Sequence, residues 1–119
     1  VHAVTDVTGF GLCGHAWEMA ERAGASLVVD TAALPTYEGA LAAAERGVRT
    51  GGDRRNREHA GPHVRATASQ AHQAVCFDPQ TSGGLLAAVE PDMVADLVAT
   101  GFTAIGRVEH GPTGLVLAG

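Results

Sequence analysis

The sequence contains no lysine, and its acidic residues outnumber its basic ones. All eight basic residues are arginine, against 13 acidic residues, so the formal net charge is −5. An acidic chain is a poor general binder of nucleic acid, and we expect no nucleic-acid partner. No apolar run approaches the roughly 18–20 residues of a membrane-spanning helix, so we expect no membrane association either.

Aromatic residues and cysteines are also scarce. Only 4% of the residues are aromatic, while 45% are hydrophobic, so the core must consist mainly of Val, Leu and Ala. A length of 119 residues suits one domain, and we expect residues 1–119 to form it. Cys13 and Cys76 lack metal-ligand spacing and are too few for a disulfide framework. Each has apolar neighbours, which predicts two buried free thiols and a cytoplasmic location.

The most informative stretch is residues 5–15, with the sequence TDVTGFGLCGH. It places Asp6 before three glycines and an alanine-rich run, an order typical of a loop that opens a helix. Glycine allows the backbone to approach a ligand, and free amides at a helix start favour anions. A carboxylate beside them can hold a divalent cation that bridges to phosphate oxygens. The stretch therefore predicts a phosphate site with Asp6 as a metal ligand.

Two alternatives exist for the same glycines. Residues 9–14 match G-x-G-x-x-G, and Asp30 follows Gly9 by 21 residues, which is the spacing of a dinucleotide-binding fold. However, the preceding strand is only about four residues long, and Asp6 puts a negative charge where pyrophosphate would bind. The second alternative, a glycine-rich helix start with a purely structural role, stays open.

Two further motifs help to distinguish between these interpretations of the glycines. Residues 77–86 read FDPQTSGGLL, and residues 51–56 read GGDRRN. Residues 5–12 and 78–85 together resemble the C-terminal domain of the selenophosphate synthetase (selenide, water dikinase) family, in the aminoimidazole ribonucleotide synthetase superfamily. Residues 51–56 resemble the Gly-Gly-Thr-x-x-Asn loop of that family, with Asp53 in place of threonine. The three motifs occur in the family's order, and Asp-Pro-Gln-Thr-Ser-Gly-Gly distinguishes this family from its superfamily relatives.

The resemblance implies the C-terminal domain of a longer two-domain enzyme, which makes selenophosphate from selenide, ATP and water and releases phosphate and AMP. It implies that Asp6 contributes to Mg²⁺ at the ATP site. The residues that it assigns to substrate or phosphate binding are Thr8, Gly9, Gly11, Gly51, Gly52, Asn56, Thr81, Ser82, Gly83 and Gly84. The charge of Asp53 is expected to weaken phosphate binding near it.

The family's reactive cysteine or selenocysteine and its lysine lie upstream, so we expect no catalytic residue in this chain and no ATP turnover by it alone. The implied partner is the N-terminal ATP-binding domain, docked on an apolar face whose edge carries the loops of Gly9 and Gly83. We also expect a homodimer. Two other classes stay open: a stand-alone module that binds an anion or a protein, and a related ATP-dependent synthetase or kinase of the superfamily.

Histidines and serine give weaker signals. His59 and His63 are four residues apart, but Gly61 and Pro62 between them prevent a shared helix face, which argues against zinc. Ser82 lacks the Gly-x-Ser-x-Gly pattern of a hydrolase nucleophile.

The periodicity predicts an α+β fold with about three helices and four or five strands. The resemblance implies that the strands form a mixed sheet of four to six strands with the helices packed against it. The predicted helices cover residues 11–23, 36–45 and 91–99, and the first ends at Gly24. The predicted strands cover residues 25–29, 74–77, 85–89, 103–108 and 115–118. Residues 49–62 are polar and are predicted to form a loop. The predicted core consists of Leu12, Trp17, Leu27, Val29, Leu85, Leu86 and Val89.

Overall fold

The computed structural model describes residues 2–80 and 83–119, which form an α+β domain with two sheets. The strands are β1 (Ala3–Asp6), β2 (Ser26–Asp30), β3 (Val64–Ala66), β4 (Leu85–Ala88), β5 (Gly106–Glu109) and β6 (Gly114–Ala118). The helices are α1 (Gly11–Ala23), α2 (Ala40–Glu45), α3 (Gly51–Ala60), α4 (Gln70–Phe77) and α5 (Val94–Ala99). The predicted fold class is confirmed, although the described residues contain five helices rather than about three. None of these helices is long and apolar enough to cross a membrane.

The larger sheet is mixed and has the strand order β3-β6-β2-β5. Strand β6 runs parallel to both β3 and β2, whereas β5 runs antiparallel to β2. Strands β1 and β4 form a separate antiparallel pair, from Ala3 opposite Ala88 to Asp6 opposite Leu85. Hydrogen bonds between Val7 and the Gly83–Gly84 backbone extend this pairing beyond Asp6. The loops that carry Gly9 and Gly83 therefore lie together, as predicted.

The core lies between α1, α4 and the larger sheet. Leu115 and Leu117 are almost fully buried because alternate residues of β6 face the helices, and burying each leucine contributes about 1.5–3 kcal/mol. The other buried residues of this core are Cys13, Ala16, Trp17, Met19, Ala20, Leu27, Val29, Ala60, Ala68, Cys76 and Phe77. Five of the predicted core residues are confirmed. Trp17, Leu27 and Val29 are buried, and Leu12 and Leu86 pack against this buried set. The prediction for Leu85 is wrong: this side chain is 55% exposed, because Leu86 and Ala88 form the face of β4 that packs against the core. Val89 is only half-buried.

Several predicted boundaries need correction. Residues 49–62 are not a loop, because α3 occupies most of them. Residues 74–77 are the last turn of α4, whose start is capped by the Ser69 hydroxyl accepting from the His72 amide. Helix α2 begins at Ala40, four residues after the predicted start. By contrast, α1 has the predicted bounds and ends at Gly24, which adopts a left-handed conformation.

Candidate functional site

Three segments meet beside the start of α1. They are residues 7–10, helix α3, and residues 77–80 at the end of α4 and just after it. The Thr8 carbonyl joins two of them, since it accepts from the Gly11 amide at 2.9 Å and the Gln80 amide at 3.1 Å. The side chain of Asn56 on α3 joins all three. Its Nδ2 donates to the Gly9 carbonyl at 2.9 Å and to the Phe77 carbonyl at 2.8 Å.

The role of Asn56 differs from the predicted one. The resemblance placed it in a phosphate-binding loop, but it lies on the buried face of α3. Both of its amide hydrogens are engaged by backbone carbonyls of neighbouring segments. An amide with two donors has none left for a phosphate in this geometry. Asn56 therefore holds the glycine loop in place rather than offering a donor to a ligand.

The predicted phosphate-binding glycines fall into two groups. A Cβ on Gly11 would lie 2.8 Å from the Asp78 carbonyl oxygen, and one on Gly83 would lie 2.6 Å from the Val7 carbonyl oxygen. A Cβ on Gly52 would overlap the Pro79 ring. These three glycines allow segments of the protein to approach each other, which is a packing role.

The second group of glycines borders open space. At Gly9, Gly51 and Gly84, the position that a Cβ would take has no described atom within 4 Å apart from those of the adjoining residues of the same chain segment. No distant described segment of the protein therefore covers the backbone there. Thr81 and Ser82, which complete the predicted set, lie outside the described residues.

Asp6 and Thr8 lie on one side of the chain. Both are exposed, whereas Val7 between them is buried, as expected where successive side chains alternate. A carboxylate and a hydroxyl are hard oxygen donors of the kind that Mg²⁺ accepts. Among residues 2–80 and 83–119, no group of three His, Cys, Asp or Glu residues is arranged to hold a metal ion. Asp6 therefore suits a cation that takes its other ligands from elsewhere, such as phosphate oxygens.

The Thr8 hydroxyl lies 2.9 Å from Nε2 of His15, in the second turn of α1. The His15 side chain is 90% buried, and its Nδ1 lies 4.0 Å from Oε2 of Glu18 on the same helix. Nδ1 has no hydrogen-bond partner within the described part of the chain. Sequence reasoning missed this contact, because nothing in the spacing of Thr8 and His15 shows that the loop folds back over the helix.

Asp78 organises the Asp-Pro-Gln motif. Its Oδ1 accepts from the Thr50 hydroxyl at 3.3 Å, and its Oδ2 accepts from Nε2 of Gln80 at 3.0 Å. Both carboxylate oxygens thus bind neighbouring side chains. Asp78 therefore connects residues 78–80 to the start of α3.

The charge of Asp53 is paired within the protein. Its Oδ2 accepts from Nε of Arg57 at 2.9 Å, and the Arg57 guanidinium lies 4.7 Å above the Phe77 ring. The Asp53 carboxylate is largely buried. The expected weakening of phosphate binding stays a prediction, and the charge that would cause it is paired with Arg57.

Cys13 on α1 and Cys76 on α4 are buried free thiols, as predicted. A hydrogen bond with Cys76 and burial raise the pKa of the Cys13 thiol far above its ordinary value. A thiol in such surroundings is inert, because the thiolate is the reactive form. The pair contributes to the apolar contact between α1 and α4 behind the site.

Aromatic contacts account for the histidines of the zinc alternative. The His59 ring stacks on Phe10 with centroids 5.4 Å apart, and the His63 ring stacks on Trp17 with centroids 3.8 Å apart. The two imidazoles therefore pack against different aromatic rings.

Comparison with known proteins agrees with the motifs. Residues 1–117 match the family model described as AIR synthase related protein, C-terminal domain. Curated relatives named selenide, water dikinase include those of Pseudomonas straminea, 45% identical over 120 residues, and Nitratidesulfovibrio vulgaris, 44% identical over 117 residues. These alignments cover 93% and 97% of this chain but only 34% and 33% of the relatives. The chain thus spans about a third of their length, and it belongs to the family of AIR synthase related proteins, corresponding to their C-terminal domain.

Proposed function

We propose that this chain is the C-terminal domain of a selenide, water dikinase, which makes selenophosphate from selenide, ATP and water and releases phosphate and AMP. The observation that carries the proposal is the exposed Asp6–Thr8 pair beside the open space at Gly9. The names of the curated relatives supply the substrate class. A cytoplasmic location fits the two free thiols.

The chemistry of such an enzyme is phosphoryl transfer, in which positioning and neutralisation of charge provide most of the catalysis. Asp6 would hold Mg²⁺ together with ligands from the rest of the enzyme, and the bound ion would neutralise charge on the phosphates of ATP. The open backbone at Gly9 and Gly51 would let those phosphates approach. We assign no catalytic residue to this chain, which would form one wall of the active site.

The N-terminal ATP-binding domain would cover a groove beside the site. A cavity of about 880 Å³ opens next to Gly83 and Gly84. Its lining includes Tyr37, Val48 and Leu85, all of which are more than half exposed. Ligand sites occur preferentially between domains, and an exposed apolar surface of this kind is typical of an interaction site. We propose this groove as the docking face.

We propose that the isolated chain forms a homodimer through this groove, in the place that the N-terminal domain would otherwise occupy. With its apolar groove uncovered, the isolated chain should associate with a second copy, because burial of that surface is favourable. Sedimentation velocity on the purified chain at increasing concentration measures this directly. A strictly monomeric chain at the highest concentration would contradict both the docking face and the dimer.

The metal assignment can be tested with Asp6→Asn in the complete enzyme. We expect selenide-dependent AMP formation to fall by at least 100-fold, equivalent to about 2.7 kcal/mol. The free energy of unfolding should change by no more than about 0.5 kcal/mol, because Asp6 is exposed at the end of β1 and substitutions at such surface positions change stability little. Glu21→Gln is the matched control, since this exposed carboxylate lies at the other end of α1. A variant at Asp6 that kept its rate and its Mg²⁺ dependence would show that the acid is structural.

Gly9→Ala tests whether a ligand reaches the loop. The added methyl group meets no described atom within 4 Å apart from those of the adjoining residues, so the protein should fold with unchanged stability. If phosphate lies against Gly9, the KM for ATP should rise, and an unchanged KM would place the phosphates elsewhere. Absence of selenide-dependent AMP formation by the unmodified complete enzyme would reject the proposed function itself.

A further inference from the structure

The hydrogen bond between Thr8 and His15 has two forms with opposite consequences for a ligand. If Nε2 of His15 carries the hydrogen, it donates to Thr8 Oγ1, and the Thr8 hydroxyl is free to donate to a phosphate. If Nε2 is the acceptor, the Thr8 hydroxyl donates to it and offers only lone pairs on its exposed side. A neutral imidazole carries one hydrogen, so the position of that hydrogen decides between the two forms.

The surroundings of His15 favour a hydrogen on Nδ1. This atom is buried and has no hydrogen-bond partner among the described residues. The carboxylate of Glu18 lies on its side of the ring, with Oε2 at 4.0 Å. A negative charge stabilises an N–H group that faces it and repels a lone pair, and here the imidazole is buried while the Glu18 carboxylate is partly exposed. Nε2 is then the acceptor in the 2.9 Å contact with Thr8 Oγ1.

The groups around this contact are held in place. The Thr8 carbonyl accepts two backbone amides, which fixes the residue against α1 and residue 80. The Phe10 ring packs against the His15 ring, with centroids 5.6 Å apart, and His15 lies within α1. The orientation of the Thr8 hydroxyl is therefore set by the protein before any ligand binds.

We propose that His15 is a positioning residue: it takes the hydroxyl hydrogen of Thr8, so that Thr8 presents lone pairs beside the Asp6 carboxylate to a hydrated divalent cation. The proposal rests on the proposed function for the identity of that cation, Mg²⁺ with nucleotide. It assigns Thr8 to the cation rather than to direct binding of substrate or phosphate, the role that the resemblance implies. Residues that orient a metal ligand typically change metal affinity or activity 10- to 100-fold when they are replaced.

The first experiment determines the imidazole form directly. The complete protein is labelled with ¹⁵N in its histidine rings, and His15→Gln assigns the His15 signals by their loss. We expect Nδ1 to show the shift and coupling of a protonated nitrogen, and Nε2 those of a bare one. The reverse pattern overturns the proposal. This measurement requires no enzymatic activity, so it stands even if the proposed function fails.

The second experiment measures Mg²⁺ affinity by calorimetry with the metal alone. Thr8→Val and His15→Phe should each weaken binding about 10-fold, while His15→Gln, whose amide oxygen can accept from Thr8, should remain within about 3-fold of the unmodified protein. The Mg²⁺ affinity of the double variant Thr8→Val/His15→Phe should also fall about 10-fold rather than 100-fold, because both substitutions remove the same interaction. Losses of Mg²⁺ affinity that multiply in the double variant would contradict the proposal. So would a His15→Phe variant in which the melting temperature falls but the Mg²⁺ affinity does not. A complete unmodified protein that binds no Mg²⁺ would contradict it as well.

In the same variants, selenide-dependent AMP formation separates positioning from catalysis. At saturating Mg²⁺, kcat should remain within about 3-fold for His15→Phe, with the Mg²⁺ requirement shifted by the same factor as the binding constant. A loss in kcat with no change in Mg²⁺ requirement overturns the positioning role. If the unmodified enzyme forms no AMP while its Mg²⁺ binding follows the expected pattern, the proposed function fails and the orientation of Thr8 stands.

Discussion

Replacing Gly11 by alanine should destabilise the domain much more than replacing Gly24. Both glycines flank α1, and both adopt positive φ values, +72° and +62°. An alanine at either position carries the same backbone strain, about 1–2 kcal/mol. The two positions differ in their surroundings, since a Cβ at Gly24 meets open space, whereas one at Gly11 meets the backbone of Phe77 and Asp78.

The additional cost at Gly11 follows from those contacts. A Cβ would lie 2.8 Å from the Asp78 carbonyl oxygen and 3.0 Å from the Phe77 carbonyl group. Residues 77–78 must then retreat by roughly 0.5–1 Å to reach ordinary contact distance. Movement of the Phe77 carbonyl weakens its bond from the buried Asn56 amide, which is worth about 1 kcal/mol. We expect a loss of about 3 kcal/mol for Gly11→Ala, against about 1 kcal/mol for Gly24→Ala.

Urea unfolding of both variants, followed by circular dichroism, measures the difference. The midpoint should shift while the slope m stays constant, because the surface exposed on unfolding is unchanged. The melting temperature should fall by about 4 °C for each kcal/mol. Equal losses in the two variants would refute the contact between Gly11 and residues 77–78, and with it the close approach of α4 to the glycine loop.

Two further predictions concern the buried groups behind the site. Asn56→Ala should cost about 2–4 kcal/mol in urea unfolding, because it removes two hydrogen bonds and leaves two backbone carbonyls without their donor; a cost below 1 kcal/mol would mean that water replaces the amide. The pKa of the Cys13 thiol is raised in the folded state. The thiol therefore contributes its full stabilisation below the unfolded pKa of about 8.5. Above that pH the free energy of unfolding declines by up to about 1.4 kcal/mol per pH unit. Cys13→Ala should lack that decline between pH 8.5 and 10, and an identical pH profile for both proteins would contradict the assignment.

The parts of the fold that the sequence predicted are those with a local signal. Helix α1 combines a regular apolar pattern with a glycine at its end, and the observed bounds match. Strand β6 is a short, continuous apolar run that begins and is followed by glycine, which is the pattern of a buried strand. In both elements, the residues that determine the structure are neighbours in the chain.

Helix α3 was missed because its buried face is polar. That face consists of Asp53, Asn56 and Ala60, so no apolar period marks it, and two glycines at its start suggested a loop. Its stabilising partners, the carbonyls of Gly9 and Phe77, lie 47 and 21 residues away from Asn56. Neither propensity nor periodicity contains that information. Helix α4 did carry a local signal that was overlooked, the N-cap serine at position 69.

The candidate site was predicted at the level of segments rather than of atoms. The motifs correctly brought the loops of Gly9 and Gly83 together. They did not distinguish Gly11, Gly52 and Gly83, which pack against protein atoms, from the glycines that border open space. That distinction depends on which distant segment lies over each glycine, and a motif in one stretch of sequence does not record it.

The separation of β1 and β4 from the larger sheet has a consequence for how the domain opens. A two-stranded ribbon is marginally stable in water, and regions with few buried contacts open at a lower free energy than the whole domain. The amide hydrogens of β1 and β4 should therefore exchange with solvent sooner than those of β2 and β6. Asp6 ends one ribbon strand, and Gly84 immediately precedes the other. The loops that carry Gly9 and Gly84 can thus open while the four-stranded sheet remains closed.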